Sequence, residues 1–456
     1  MSSGKKLVGK DLTTGKIYPL LIAFAVPIIL TGLIQQIYSM TDLVIIGKYV
    51  GSVGTVGVST GGELSDLMTP LASSLAMAGQ IYIAQLVGQH AEERLKSVIS
   101  TLLTMMLLIS IIFMVGSLVF YHQILTMLNC PSEAFSAAAS YLIITALGMP
   151  FIFGYNAITS ILMGMGESKR PLLFVSVAAA MNIVFDLLFV IVFKMDVVGT
   201  AIATVGSQIG AFAASFIFMY KRRDQLGFEL KLSYFKMNRR DLQIIMKLGI
   251  PQIIRVISVQ GSMLWVKACI NNFGLIVSAT YSVGNKIEKF ENVFVQGITQ
   301  AGGAMIGQNI GAKKHDRVND VMKSILVCST ALALIGAVLF VVFPTQLYSI
   351  FSNDADVIQY GVTFLRIMAI GIIVSAVAAS FKSIAIGAGA ALLALLIGIL
   401  DGMCRVVICL AAILIIGNVS NAYFWGAAFC QVIPGLMCLG YFLSGKWKTK
   451  KLLSED

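Results

Sequence analysis

The sequence predicts an all-α integral membrane protein: twelve transmembrane helices in two six-helix lobes, related by a pseudo-twofold near the membrane normal. Three observations lead there. The composition is 57% hydrophobic and only 12% charged. Twelve apolar segments are long enough to cross a bilayer, and the first half of the chain is echoed in the second at an offset of 223 residues.

A hydrocarbon core of about 30 Å takes roughly 20 helical residues to cross. Segments of that length run approximately 17 to 46, 54 to 86, 98 to 120, 134 to 163, 171 to 193, 197 to 220, 243 to 270, 275 to 309, 321 to 344, 356 to 386, 391 to 416 and 421 to 444. An open strand in lipid leaves backbone groups unpaired, and these runs are too long for barrel strands, so helices are expected. A mean hydropathy of +0.88 agrees.

The net charge of +11 points to topology rather than to a nucleic-acid partner. With the start of the chain inside, 25 Lys and Arg fall on the cytoplasmic side. They include eight from Lys221 to Lys247, the group Lys313, Lys314, Arg317 and Lys323, and Lys382. The opposite loops hold Lys48 and Lys194. The positive-inside rule then places both termini in the cytoplasm. The seven Cys imply no disulfide framework, and the first apolar run is too long for a removable signal peptide.

The echo is carried by "IAQLVGQHAEER" (83 to 94) against "IGQNIGAKKHDR" (306 to 317), "YLIITALG" against "FLRIMAIG", and "GMG" against "GAG". Pro27 and Gln36 return one residue out of that register as Pro251 and Gln260. Six spans per repeat is even, which makes the repeats parallel. The expected organisation is therefore an N-terminal lobe over 1–220, a cytoplasmic linker over 221–242 and a C-terminal lobe over 243–456. Within this scheme "GAKKHDR" reads as a solvated cytoplasmic turn between spans eight and nine.

Two such lobes are the plan of an alternating-access transporter. An enzyme is disfavoured, since the three His lie in loops and there is no metal-ligand spacing, Gly-x-Ser-x-Gly elbow or phosphate-cradling loop. No cofactor is expected. Energy comes from an ion gradient or the substrate's own.

Ionisable groups in hydrocarbon mark function by default. Asp42 and Asp186 are isolated acids in spans one and five, each roughly 6 to 10 Å below the external end at 1.5 Å rise per residue. Thr204 in span six falls at similar depth, and Asn182 stands one turn from Asp186. No Lys or Arg lies in the spans of this half. A carboxylate pair so placed takes up a proton or holds a cation such as Na⁺.

The second half opposes Arg255, Arg366 and Arg405 to Glu288, Glu291 and Asp401, a pattern of internal pairing or of substrate contact. Asp401 and Arg405, at i and i+4, can pair on one helix. Glu63 and Asp66 correspond at the 223 offset to Lys286 and Lys289, which suggests an interlobe ion-pair latch or, equally, charges meeting local partners.

On "PIILTGLIQQIYSMTDLVIIGKYVG", "GMGESKRP", "NIVFDLLFVIVFKMDVVGTAIAT" and "IGQNIGAKKHDR", the chain resembles the multidrug and toxic compound extrusion (MATE) transporters, and among them the DinF-like bacterial branch. The resemblance covers nearly the whole chain. It implies a cation-coupling site falling on Asp42, Asn182, Asp186 and Thr204, with H⁺ or Na⁺ as coupling ion. It also implies antiport that expels organic, often cationic, amphiphiles. The NorM-like branch uses a Glu in the seventh helix where this chain has Gln260 and no acid, which weakens any second-half cation site. The alternative is a flippase of lipid-linked precursors in the same superfamily; twelve spans and only scattered basic residues favour drug export. The expected setting is the bacterial plasma membrane, with the bilayer and small molecules as partners and the monomer as working unit.

Overall fold

Backbone groups cut off from water must bond within their own segment, and the apolar runs accordingly fold as long helices. The computed structural model describes residues 9–226, 236–352, 354–416 and 419–453; the side chains of a few further helical residues, Asp42 among them, lie outside the described residues. The helices are α1 (Ile17–Tyr49), α2 (Gly51–Gly88), α3 (Glu92–Met127), α4 (Phe135–Gly164), α5 (Lys169–Asp186), α6 (Asp196–Lys221) and α7 (Arg239–Asn271). There follow α8 (Leu275–Gly311), α9 (His315–Val342), α10 (Ala355–Gly387), α11 (Ala391–Ile416), then α12 (Val419–Phe429) and α13 (Val432–Leu443), which together make the twelfth span. The fold is thus all-helical, with no strand among the described residues.

Several helices outrun their apolar cores because polar ends suit helix termini. For α3, Glu92 and Glu93 occupy the first turn, where the helix dipole favours acids. Among the described residues, eleven helices are long and apolar enough to cross a membrane by length and composition. The remaining long one is α8, whose centre carries Lys286, Glu288, Lys289 and Glu291.

The repeat is written into the geometry. α2 and α8 end at Gly88 and Gly311, and α4 and α10 end at Gly164 and Gly387. The turns after them reuse one backbone shape: His90 and Lys313 both have φ of 57°, and Gly166 and Gly389 have φ of 84° and 64°. Side-chain packing repeats too. A Cβ on Gly164 would meet the Gln80 carbonyl at 2.7 Å and Ile83 at 2.9 Å; on Gly387 it would meet the Gly303 carbonyl at 2.9 Å and Ile306 at 2.6 Å. These helices therefore approach at backbone distance. Gly387→Val is expected to cost about 1–3 kcal/mol through overpacking. A thermal melt in detergent that leaves this variant at the wild-type midpoint would count against the close approach.

Two compact units divide the chain: unit 1 comprises residues up to Asp11 together with Leu30–Met246, and unit 2 comprises Leu12–Ile29 with Lys247–Asp456. The first helix of each repeat thus begins outside the unit that holds most of its own repeat. In unit 2, residues 12–14 are fastened to the "IGQNIGAKKHDR" turn. The Leu12 N–H donates to Gln308 Oε1 at 3.0 Å, and Asn309 Nδ2 donates to the Leu12 carbonyl at 3.1 Å. Lys314 Nζ donates to the Thr13 carbonyl at 2.9 Å, and Arg317 donates to the Thr14 carbonyl at 3.0 Å. The turn, exposed at Lys313, Lys314 and Asp316, thus also clamps residues 12–14 together with the end of α8 before it. Unit 1 holds the segment before α7 in a related way. Ser100 Oγ accepts the Lys236 N–H at 3.3 Å, Thr101 Oγ1 accepts the Asn238 N–H at 3.0 Å, and the buried Asp241 carboxylate accepts the hydroxyls of Tyr82 and Ser97.

Candidate functional site

In unit 1, α5 and α6 carry three of the four residues of the expected polar cluster, Asn182, Asp186 and Thr204. Asn182 and Asp186 sit one turn apart on α5 and are 1% and 0% exposed. Burial of an Asn and an Asp in the apolar stretch "AAAMNIVFD" is expensive, and both polar atoms of the Asn182 amide lack a hydrogen-bond partner among the described residues. At Asp186 the main chain leaves α-helical register, and Leu187–Val192 form a π-helix. Such local widening recurs at functional sites, because it turns side chains and frees carbonyl oxygens.

Packing locks α5 against α6. Cβ atoms added at Gly206 and Gly210 would strike Phe185 at 3.0 Å and the sulfur of Met181 at 2.4 Å, so the residues flanking Asn182 are held in place. Thr204 lies on α6 on this packed pair, half-buried, and its carbonyl accepts the Ser207 hydroxyl at 2.8 Å. Asp42 belongs to α1, and its side chain lies outside the described residues. The structure thus unites Asn182 and Asp186 on one buried face beside the helix that carries Thr204.

Unit 2 differs at the equivalent place. The 223-residue offset carries Asn182 onto Arg405, which is 4% exposed. Arg405 donates to Asp401 Oδ1 at 3.2 Å and to Ser262 Oγ at 3.1 Å. The i to i+4 pair is therefore present. Asp401 is met from its other oxygen by Lys382 Nζ at 3.5 Å, and Lys382 also donates to Gln431 Oε1 at 3.0 Å. The expectation that Lys382 belongs to the cytoplasmic positive set is corrected: it lies within α10, five residues before the helix ends, with its side chain only 15% exposed. An aliphatic stem near a helix end lets its ammonium reach a buried acid on the neighbouring helix.

The other second-half charges are distributed unevenly. Arg255 donates to Gln252 Oε1 at 2.8 Å and has Asp401 as its electrostatic neighbour. Glu288 has Arg405 and Lys289 as electrostatic neighbours; Glu291 has Glu288 and packs against Gly336 of α9. Arg366 is exposed on α10, sixteen residues and about 24 Å of helix from Lys382, so it stands apart from this network. Glu63, Asp66, Lys286 and Lys289, the residues of the expected latch, are all exposed on α2 and α8. Among the described residues no group of three or more His, Cys, Asp or Glu could hold a metal ion.

Sequence reasoning missed Lys382 as a partner of Asp401 and Gln431 as a partner of Lys382, and it missed the π-helical segment.

The described geometry has counterparts. A protein-family model described as MatE matches residues 27–211 and 251–411. Among curated relatives, the probable multidrug resistance protein YoeA of Bacillus subtilis (strain 168) is 27% identical over 371 residues, covering 80% of each chain. The multidrug export protein MepA of Staphylococcus aureus (strain MSSA476) is 20% identical over 386 residues, covering 84% of this chain and 85% of its own. Among solved structures, a multidrug resistance MATE family transporter of the MOP superfamily in an outward-facing conformation superposes with a TM-score of 0.91 at 17% identity, over 98% of this chain and all of that one. A MATE in its bent conformation gives 0.89 at 18% identity, over 98% and 99%.

Proposed function

The chain belongs to the MatE family of membrane transporters, and from that premise we propose that it is a secondary multidrug efflux transporter driven by H⁺ or Na⁺ antiport. Its relatives YoeA and MepA bear multidrug resistance and multidrug export names, which supports organic amphiphiles as substrates. The observation that carries the coupling is the buried Asn182 and Asp186 pair, set where α5 turns into a π-helix. A carboxylate in hydrocarbon is tolerated where it exchanges a cation or a proton, and the adjacent amide offers an oxygen to the same ion.

In the cycle, a cation arriving from outside occupies the Asp42, Asn182, Asp186 and Thr204 set, and its differential affinity for one conformation shifts the population toward substrate release. Cation and drug thereby take turns within one cycle. The plasma membrane, with both termini in the cytoplasm, is the setting that the basic-residue distribution supports.

The test is efflux of a fluorescent organic cation from proteoliposomes under separately imposed pH and sodium gradients. Transport that follows one gradient and collapses with it is the expected result. Equal transport with neither gradient sinks the antiport reading, and translocation of a lipid-linked pyrophosphate in place of the dye favours the flippase alternative.

A further inference from the structure

The clamp of residues 12–14 borders a feature that the transport cycle does not use. Within unit 2, a pocket of about 530 Å³ opens between the start of α1 and α9, lined by residues 15–19 and by Arg317, Asp320, Lys323 and Ser324. Three cations line it, Lys16, Arg317 and Lys323, against one acid, Asp320. The Lys323 and Asp320 pair spans 3.8 Å with side chains 76% and 60% exposed, so solvent screens it and an excess of positive charge remains. Arg317 has spent one nitrogen on the Thr14 carbonyl, while its buried Nε has no hydrogen-bond partner among the described residues. The positive end of the α1 dipole, at Ile17, opens on the same space.

We propose that this pocket holds the phosphodiester headgroup of an anionic glycerophospholipid. The phosphate chemistry alone fits a free anion as well, but the helices leading away from the pocket argue for a lipid. Along α1, Tyr18, Ile22 and Val26 recur at intervals of four residues as exposed side chains. Along α9, Val327, Leu334 and Val338 continue the face of Lys323 and are exposed too. The α9 ladder is charged at the pocket and apolar along the span, and the α1 ladder runs apolar from a pocket edge that Lys16 charges, the order of a phospholipid with its acyl chains. Basic pockets beside transmembrane helices on the cytoplasmic side select anionic headgroups, and the assignment rests on the cytoplasmic reading of this loop. The lipid phosphate neutralises the Arg317 guanidinium from the pocket side and thereby braces the residue that holds Thr14.

The experiment titrates the purified protein in detergent with phosphatidylglycerol or phosphatidylcholine and reads retained lipid by native mass spectrometry. Inorganic phosphate is added in a parallel thermal-shift arm. Phosphatidylglycerol is expected to bind in preference to phosphatidylcholine, and each cation removed costs about five-fold in affinity. Lys16→Ala/Lys323→Ala, which spares the Arg317 bond to Thr14, should lower phosphatidylglycerol retention by at least about tenfold. The control Lys169→Ala/Lys221→Ala should not. Equal retention of the two lipids, or equal loss in the control, overturns the site. Protection by inorganic phosphate as strong as that by phosphatidylglycerol overturns the lipid assignment. Cysteine accessibility at residue 16 from the two sides of the membrane tests the orientation separately.

Discussion

Asp186→Asn is expected to reduce gradient-driven efflux to the rate of protein-free vesicles, while the protein still reaches the membrane and still binds dye. The substitution preserves the shape of a fully buried side chain and removes only its charge. Asp186 stands at the change from α- to π-helix, a widening that recurs at functional sites, and the proposed role rests on its charge rather than on packing. Asn182→Ala is expected to be milder. Losing one neutral ligand to a charged group costs about 1.5–3 kcal/mol, or about ten- to a hundredfold in apparent cation affinity, with coupling retained at saturating ion. Vesicle efflux measured against sodium concentration and against pH separates the two effects. Intact gradient dependence in Asp186→Asn would remove the ground for the coupling site.

The second large effect concerns unit 2 and is structural. Asp401 answers two cations, Lys382 and Arg405, in a region where both are nearly withdrawn from water. Removing one partner of a buried pair costs about 3–5 kcal/mol, because the other charge is left uncompensated. For Asp401→Ala that corresponds to a fall of about 10 °C in apparent midpoint. The buried thiols Cys404, Cys409, Cys430 and Cys438 supply the readout, since a thiol-reactive dye reports their exposure on unfolding. Replacing all three charges together, as Lys382→Met/Asp401→Leu/Arg405→Met, is expected to recover most of the midpoint. A network that bound substrate instead would show the reverse: normal midpoints and lost transport.

Much of this was legible beforehand, for identifiable physical reasons. Spans are set by length and apolarity, so α9 and α10 could be found from composition alone. The repeat showed because turns need special backbone, and "GMG" and "GAG" put Gly166 and Gly389 where φ is positive. Asn182 and Asp186 stood out because a polar pair in "NIVFD" has no bland role in lipid. What stayed hidden depends on partners distant in sequence. Lys382, near the end of a span, reads as an interfacial charge until α11 is laid beside it. The π-helical run "LLFVIV" differs from a helix only in hydrogen-bond register, for which its apolar side chains give no cue. The turn at 306 to 317 resembles a topogenic loop because its bonding partners, Leu12, Thr13 and Thr14, lie far away in the chain.

That last separation has a consequence for biogenesis. Leu12 is bonded to a side chain 296 residues further on. At about 5–20 residues per second, the ribosome delivers Gln308 roughly 15–60 s after Leu12 has emerged. Through that interval the leading segment has no seat, so its attachment is among the last steps of maturation, and a nascent chain stalled before Gln308 would leave it open to protease.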